Sequence, residues 1–355
     1  MTQLEIFQAT VNHQPHDGFL FSASFTPDLD RRLREKYALA SDADLQQHFG
    51  MYRPELVQPK ALRPEGLPEP DYSVYFEDVD KPEGSFINHL GVLEVPAKFY
   101  HFTGYVSPLR NAKNFQELER FPFPGQEIFE ETGMADKVQQ VHRQGRAALT
   151  WVGHMYEDSW QVRGYEEFLM DLVEKPEWCE FILDKFARRN LQVATASARA
   201  GVDYLQTGDD VANQKSMMFS AKTWRRFMKV RWAKVYAAAR QIKPDIQIWY
   251  HSDGNIMEII PDLIEIGVTI LNPVQPECID LHEVKKQYGK HLVLDGTIGT
   301  QSTMPFSGPE EVKRVVRERK KTLGYDGGLI LSPTHILEPE VPLENIAAFV
   351  DACRE

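Results

Sequence analysis

The chain reads as a (β/α)8 barrel, and three observations lead there. Six short apolar runs, each followed by a helix-like stretch, succeed one another from residue 147 onward with short turns between them. The runs are apolar at successive positions rather than alternating, as in parallel strands buried on both faces. No GxGxxG or GxxxxGK[ST] follows any of them, which removes the sharpest support for an open nucleotide-binding sheet. An N-terminal strand makes seven, and residues 86–106 are expected to supply the eighth. The 355 residues, 42% of them hydrophobic, suit one barrel domain over 1–355. The rival is a split near residue 125, where Phe121-Pro122-Phe123-Pro124-Gly125 resembles a linker.

The elements follow in order. Residues 18–24 (GFLFSAS) are an apolar run ending in small residues, a buried strand feeding a helix. Pro27 stands near that helix start, with Leu29, Leu33 and Tyr37 on a repeating face. Residues 51–110 are rich in Pro, Gly and aromatics, with extended pieces at 73–76 and 86–95. They predict an irregular excursion over the barrel mouth. A helix at 131–145 precedes the strand 147–152, and helices at 163–173 and 176–199 follow. Then come strand 202–206, helix 220–242 and strand 246–250. Helices at 256–266, 280–288 and 308–323 lead into strands 268–271, 292–294 and 328–331, and a last helix starts near Pro342.

A net charge of −12 argues against nucleic-acid and anionic-membrane partners. Arg31-Arg32-Leu33-Arg34 and Arg317-Glu318-Arg319-Lys320-Lys321 lie in helix-like stretches and read as solvated faces. Cys179, Cys278 and Cys353 are far apart and form no CxxC, so no disulfide framework is expected. The N-terminus lacks a basic region before an apolar run, and no apolar stretch approaches the roughly eighteen residues that span a bilayer. A soluble cytoplasmic protein is the expectation. The aromatics Phe99, Tyr100, His101, Phe102 and Tyr105, and Tyr156 with Trp160, suit either a pocket wall or core packing.

In a barrel the chemistry belongs to residues just after the strands, whose ends converge on one rim. Here those positions are Gly153-His154, Thr207-Gly208-Asp209-Asp210, His251-Ser252-Asp253-Gly254, Asn272-Pro273-Val274-Gln275, Asp295-Gly296-Thr297 and Ser332-Pro333-Thr334-His335. His251 and Asp253, two apart on a strand, point the same way. Imidazole nitrogen and carboxylate oxygen suit a divalent ion; equally, the carboxylate orients the ring for proton transfer, or Asp253 simply caps the next helix. His335 is placed by barrel closure across the mouth from His251. Asp209 and Asp210 are adjacent and cannot both face inward, so one faces the site and the other ties a loop or helix. Asn272, Gln275, Asp295 and Gln301 are hydrogen-bonding candidates on the following loops.

The ordered set Gly208-Asp209-Asp210, Phe219-Ser220, His251-Ser252-Asp253-Gly254, Gly267, Leu271-Asn272-Pro273-Val274-Gln275, Tyr288-Gly289, Asp295-Gly296, Gly327-Gly328-Leu329-Ile330-Leu331, His335, Val341-Pro342 and Glu344-Asn345 resembles the uroporphyrinogen decarboxylase superfamily. The resemblance is strong over about 145–350. It implies a (β/α)8 barrel and one of two chemistries. One branch decarboxylates uroporphyrinogen acetates without a cofactor. The other moves methyl groups between corrinoid carriers, thiols and methylated substrates, commonly with zinc.

The decarboxylase pattern has an N-terminal Met-Arg-Gln-Ala-Gly-Arg stretch whose arginines hold substrate carboxylates; this chain has Leu20-Phe21-Ser22-Ala23-Ser24-Phe25. His335 matches the decarboxylase histidine, and Tyr156 is similar in place to a substrate-facing tyrosine. The thiol-activating branch carries His-x-Cys-Gly where this chain has His251-Ser252-Asp253-Gly254, and a further Cys near His335. The resemblance therefore implies a methyltransferase acting on a small methylated substrate with a corrinoid or thiol acceptor. His251, Asp253 and His335 would hold a divalent ion such as zinc, in a harder donor set than a thiolate site. Asp209 would orient or protonate a leaving group, and Tyr156, Asp210, Asn272, Gln275, Asp295 and Gln301 would contact substrate. A decarboxylase-like lyase and a non-catalytic binding barrel are the alternatives. A homodimer and a corrinoid-protein partner are also expectations of the resemblance.

Overall fold

The computed structural model of the protein describes residues 1–97 and 103–355. Its barrel starts at residues 20–22 (β1) and continues through β2 (Glu55–Leu56), β3 (Ala148–Gly153), β4 (Tyr204–Gly208), β5 (Gln247–His251), β6 (Ile270–Asn272), β7 (Val293–Ile298) and β8 (Leu329–Pro333). β2 to β8 form one parallel sheet in chain order. β1 bridges its two edges. Ser22 N–H donates to Leu331 O at 3.0 Å and Leu331 N–H to Leu20 O at 2.9 Å, while Tyr52 N–H donates to Phe21 O at 2.7 Å.

Two expectations need correction. The eighth strand is β2, not residues 86–106. β2 contributes only two residues between Pro54 and Pro59, too short a run to show any periodicity. The 86–106 region instead folds as its own antiparallel sheet of Phe86–Ile87, Leu93–Pro96 and Thr103–Val106. Residues 73–76 are not extended: Tyr72–Phe76 is a 3₁₀ helix, begun by Asp71 Oδ1 accepting Ser73 N–H at 3.0 Å. The run Phe99 to Phe102 lies outside the described residues.

The helices fall close to their expected places, with Pro27–Tyr37, Pro176–Ala200 and Pro309–Thr322 each opening on a proline that fits the first turn. Unforeseen is a short helix, Tyr156–Arg163, directly after β3. The helix Gln3–Val11, capped by Thr2 and Glu5, covers the opposite end of the barrel. Leu4 N–H donates to Gly145 O just ahead of β3, and the Gln3 amide donates to Met51 O ahead of β2. From this helix Phe7 packs on Tyr52 and Tyr204 inside the barrel, with ring centroids 6.1 and 5.2 Å apart. Leu20, Leu149, Ile270, Val293 and Ile330 complete that apolar interior. Between strands and helices, a second apolar layer runs from Phe21 to Cys353.

Register sets the site. Gly208 pairs with His251, and His251 with Asn272, so three strand ends stop at one level. A Cβ at Gly208 would lie 2.6 Å from His251 O, so this close pairing needs glycine.

Candidate active site

A cavity of about 510 Å³ runs from Phe7 up the barrel to the strand ends. Its lower wall is Leu149, Tyr204, Ile270 and Ile330; its upper wall is Ser22, Ser24, Gln206, Trp249, His251, Asn272, Asp295 and His335. A second cavity of about 260 Å³ adjoins it, lined by Asp253, Gln275, Thr300, Gln301, His335 and Glu340 among others. His335, exposed on the loop after β8, lines both. Among the described residues, no Lys or Arg lines either cavity.

His251 is oriented from behind. Asp295 is buried within β7 and its carboxylate accepts Trp249 Nε1–H at 2.7 Å, Ser332 Oγ–H at 3.0 Å and the Asn272 amide. Burial nonetheless holds this carboxyl above its usual range, those donors opposing. With its N–H turned to Asp295, Asn272 offers Oδ1 to His251 Nδ1 at 2.7 Å. An amide oxygen can only accept, so Nδ1 carries a proton and Nε2, facing the cavity, is the nitrogen that offers a lone pair when the ring is neutral. Trp249 stacks along the ring at 16°.

In front of Nε2 stand two carboxylates. Asp210 Oδ1 is 3.6 Å away and Asp253 Oδ1 3.9 Å. Asp210 Oδ1 also accepts Asp253 N–H at 2.8 Å, whereas Asp253 Oδ1 is buried with no hydrogen-bond partner. Burial raises the Asp253 carboxyl, Asp210 raises it further, and His251 and His335 pull it down. A lone pair and two carboxylates converging within 4.8 Å repel one another unless a cation or proton lies between them. The turn that brings them together passes through Gly254 at φ +85°, where any Cβ would strike Asn213 O.

This trio differs from the expected one. Asp210 takes the third place, and His335, which lines both cavities, is not among the three groups that converge. Asp209 turns the other way. It is wholly buried, its Oδ1 accepting the N–H groups of Met155, Tyr156 and Glu157 at 2.8, 2.7 and 3.1 Å, and Oδ2 accepting Trp232 Nε1–H at 2.9 Å. Four donors hold it in the core and it lines neither cavity, so the leaving-group role expected of it does not fit its surroundings. Tyr156 is also removed from both cavities, packed between Phe168 and Phe219. Gln275 is buried and braces the loop by accepting Gly254 N–H at 2.6 Å, and Gln301 accepts from Gln214 at the rim.

Sequence reasoning missed Trp249 and Gln206, although each lies two residues before a strand-end position and so shares its face. It also passed over the i, i+3 pair His154 and Glu157. His154 Nδ1 is 2.8 Å from Gly208 O and 3.0 Å from Glu157 Oε1. Burial pushes the Glu157 carboxyl up to about 7, with the His154 charge opposing. For His154 burial works against the charge, but Glu157, Asp158 and Asp209 together hold it above its ordinary value.

The sequence profile of the family described as uroporphyrinogen decarboxylase (URO-D) matches residues 145–355. No curated protein sequence matches the chain. Among solved structures, a methyltransferase from Methanosarcina mazei superposes with a TM-score of 0.63 at 18% identity, covering 99% of this chain and 98% of that one. A sugar phosphate isomerase/epimerase from Parabacteroides distasonis gives 0.38 at 10% identity, covering 96% and 95%.

Proposed function

We propose, from the premise that this chain belongs to the uroporphyrinogen decarboxylase family, that it is the methyl-transferring rather than the decarboxylating kind of enzyme. It moves a methyl group from a small methylated substrate to a corrinoid or thiol acceptor. The observation that carries this reading is the convergence of His251 Nε2, Asp210 Oδ1 and the unpartnered, buried Asp253 Oδ1. One nitrogen and two carboxylate oxygens fit a divalent ion such as zinc. Bound there, the ion would supply Lewis acidity, stabilising negative charge on the atom that gives up or receives the methyl group.

The chain's own groups do the rest. Asp295 and Asn272 hold His251 in one tautomer, and Trp249 fixes the ring plane. The deep cavity takes the body of the substrate against Tyr204, Trp249 and Ile330. His335, on the wall of both cavities, is placed to pass a proton to a departing heteroatom, whose bond to the methyl carbon breaks as the acceptor's forms. The decarboxylase alternative is disfavoured by the same wall. Ser22, Ala23 and Ser24 line it where that branch carries arginines, and a polycarboxylate would meet Asp295 without a cationic anchor.

The test is metal analysis of protein purified without chelator, beside His251→Ala and Asp253→Ala. Stoichiometric metal lost from both folded variants is expected. A metal-free wild type that is fully active in methyl transfer would sink the metal-assisted form. Formation of decarboxylated product from uroporphyrinogen would transfer the assignment to the other branch.

A further inference from the structure

The segment after β3 and the end of β4 hold each other in both directions. Asp209 reaches across to accept the backbone N–H groups of residues 155–157, which opens the helix Tyr156–Arg163 and fixes where Glu157 stands. Glu157 reaches back, its Oε1 accepting the backbone N–H of Asp210 at 2.9 Å. His154 closes the same oxygen from the side at 3.0 Å while lying 2.8 Å from the Gly208 carbonyl. The pattern is that of a capping box, except that cap and helix come from two different strands.

We propose that Glu157 is a positioning residue for the three-donor site. Its bond to the Asp210 amide, with the Asp209 cap, fixes the Asp210 backbone, and through it the carboxylate facing His251 and Asp253.

Three features favour this over a merely local brace. Asp210 is the trio's most exposed member, with 38% of its side chain accessible, so it has little packing of its own to fix it. Its Oδ1 already accepts Asp253 N–H, so a shift of the Asp210 backbone disturbs two of the three donors at once. His154 meets Glu157 with Nδ1, which must carry the proton to bond the Gly208 carbonyl, so that nitrogen braces Glu157 and offers no lone pair there. The second titratable cluster thus serves the first by geometry.

The inference rests on the cation-binding reading above, and its test separates the two. Zinc affinity by titration calorimetry and the cobalt absorption spectrum are measured on the full chain and on Glu157→Met, Glu157→Ala and Glu157→Gln. Unfolding midpoints verify each fold. Loss of an orienting partner typically weakens metal binding about 10- to 100-fold, and that loss is expected in Met and Ala variants with an altered cobalt spectrum. Gln keeps an acceptor oxygen and is expected to restore both readings. Unchanged affinity in whichever of the Met and Ala variants folds would overturn the clasp alone. So would a Gln variant as weak as Ala, since charge rather than the hydrogen bond would then matter. A wild type that binds neither ion overturns both readings.

Discussion

Asp209 follows β4 and Asp253 follows β5, the next strand, yet their surroundings are opposite. Asp209 is sealed in the core with four N–H donors, one from an indole and three from the start of a helix. Asp253 borders a cavity and leaves a buried oxygen without any donor. A carboxylate saturated with donors is a fixed part of the scaffold. A carboxylate desolvated without them has affinity to spare for a proton or cation. The same residue type on one rim therefore sits in two kinds of surroundings, and donor count tells them apart.

The largest effect expected from this contrast is in Asp209→Ala. It strands four donors in a dry core and is expected to cost about 3–5 kcal/mol in urea unfolding. A loss below about 1 kcal/mol would erase the distinction.

Asp158, buried beside Asp209, gives a pH-dependent version. Burial pushes its carboxyl up to about 6 from an ordinary 3.8. A raised folded-state value means stabilisation present below about 3.8 and lost as pH rises through about 6. The wild type should lose on the order of 3 kcal/mol across that window that Asp158→Asn does not lose. Parallel stability–pH curves for the two proteins would refute it.

On the open side, Asp253→Asn is expected to keep stability within about 1 kcal/mol of wild type. Zinc affinity is expected to fall by roughly tenfold or more, at least about 1.4 kcal/mol. Marked unfolding in this variant would make Asp253 a scaffold group like Asp209. The smallest effect is Trp232→Phe, which removes one of the four Asp209 donors and should destabilise by about 1 kcal/mol. A larger loss would show that the indole's packing against Tyr236, not its N–H, carries the weight.

These contrasts mark what could be read from the residues alone. β3 to β8 were visible because buried parallel strands are apolar at successive positions. β2 was not, because two residues between prolines carry no pattern. The convergence of His251 and Asp253 follows from strand periodicity. The choice between Asp209 and Asp210 does not, because it depends on a helix beginning at Tyr156, fifty residues earlier and visible only in three dimensions. His335 was placed at the mouth by closure of the barrel, but its distance from the trio is a property of the β8 loop.

The helix across the barrel floor has a kinetic consequence. With Phe7 wedged against Tyr52 and Tyr204, the deep chamber is a blind alley at the strand N-termini. Whatever occupies the floor of the chamber can leave only toward the rim. If the proposed methyl transfer brings two reactants into this chamber, the deeper one must enter first and its product must leave last.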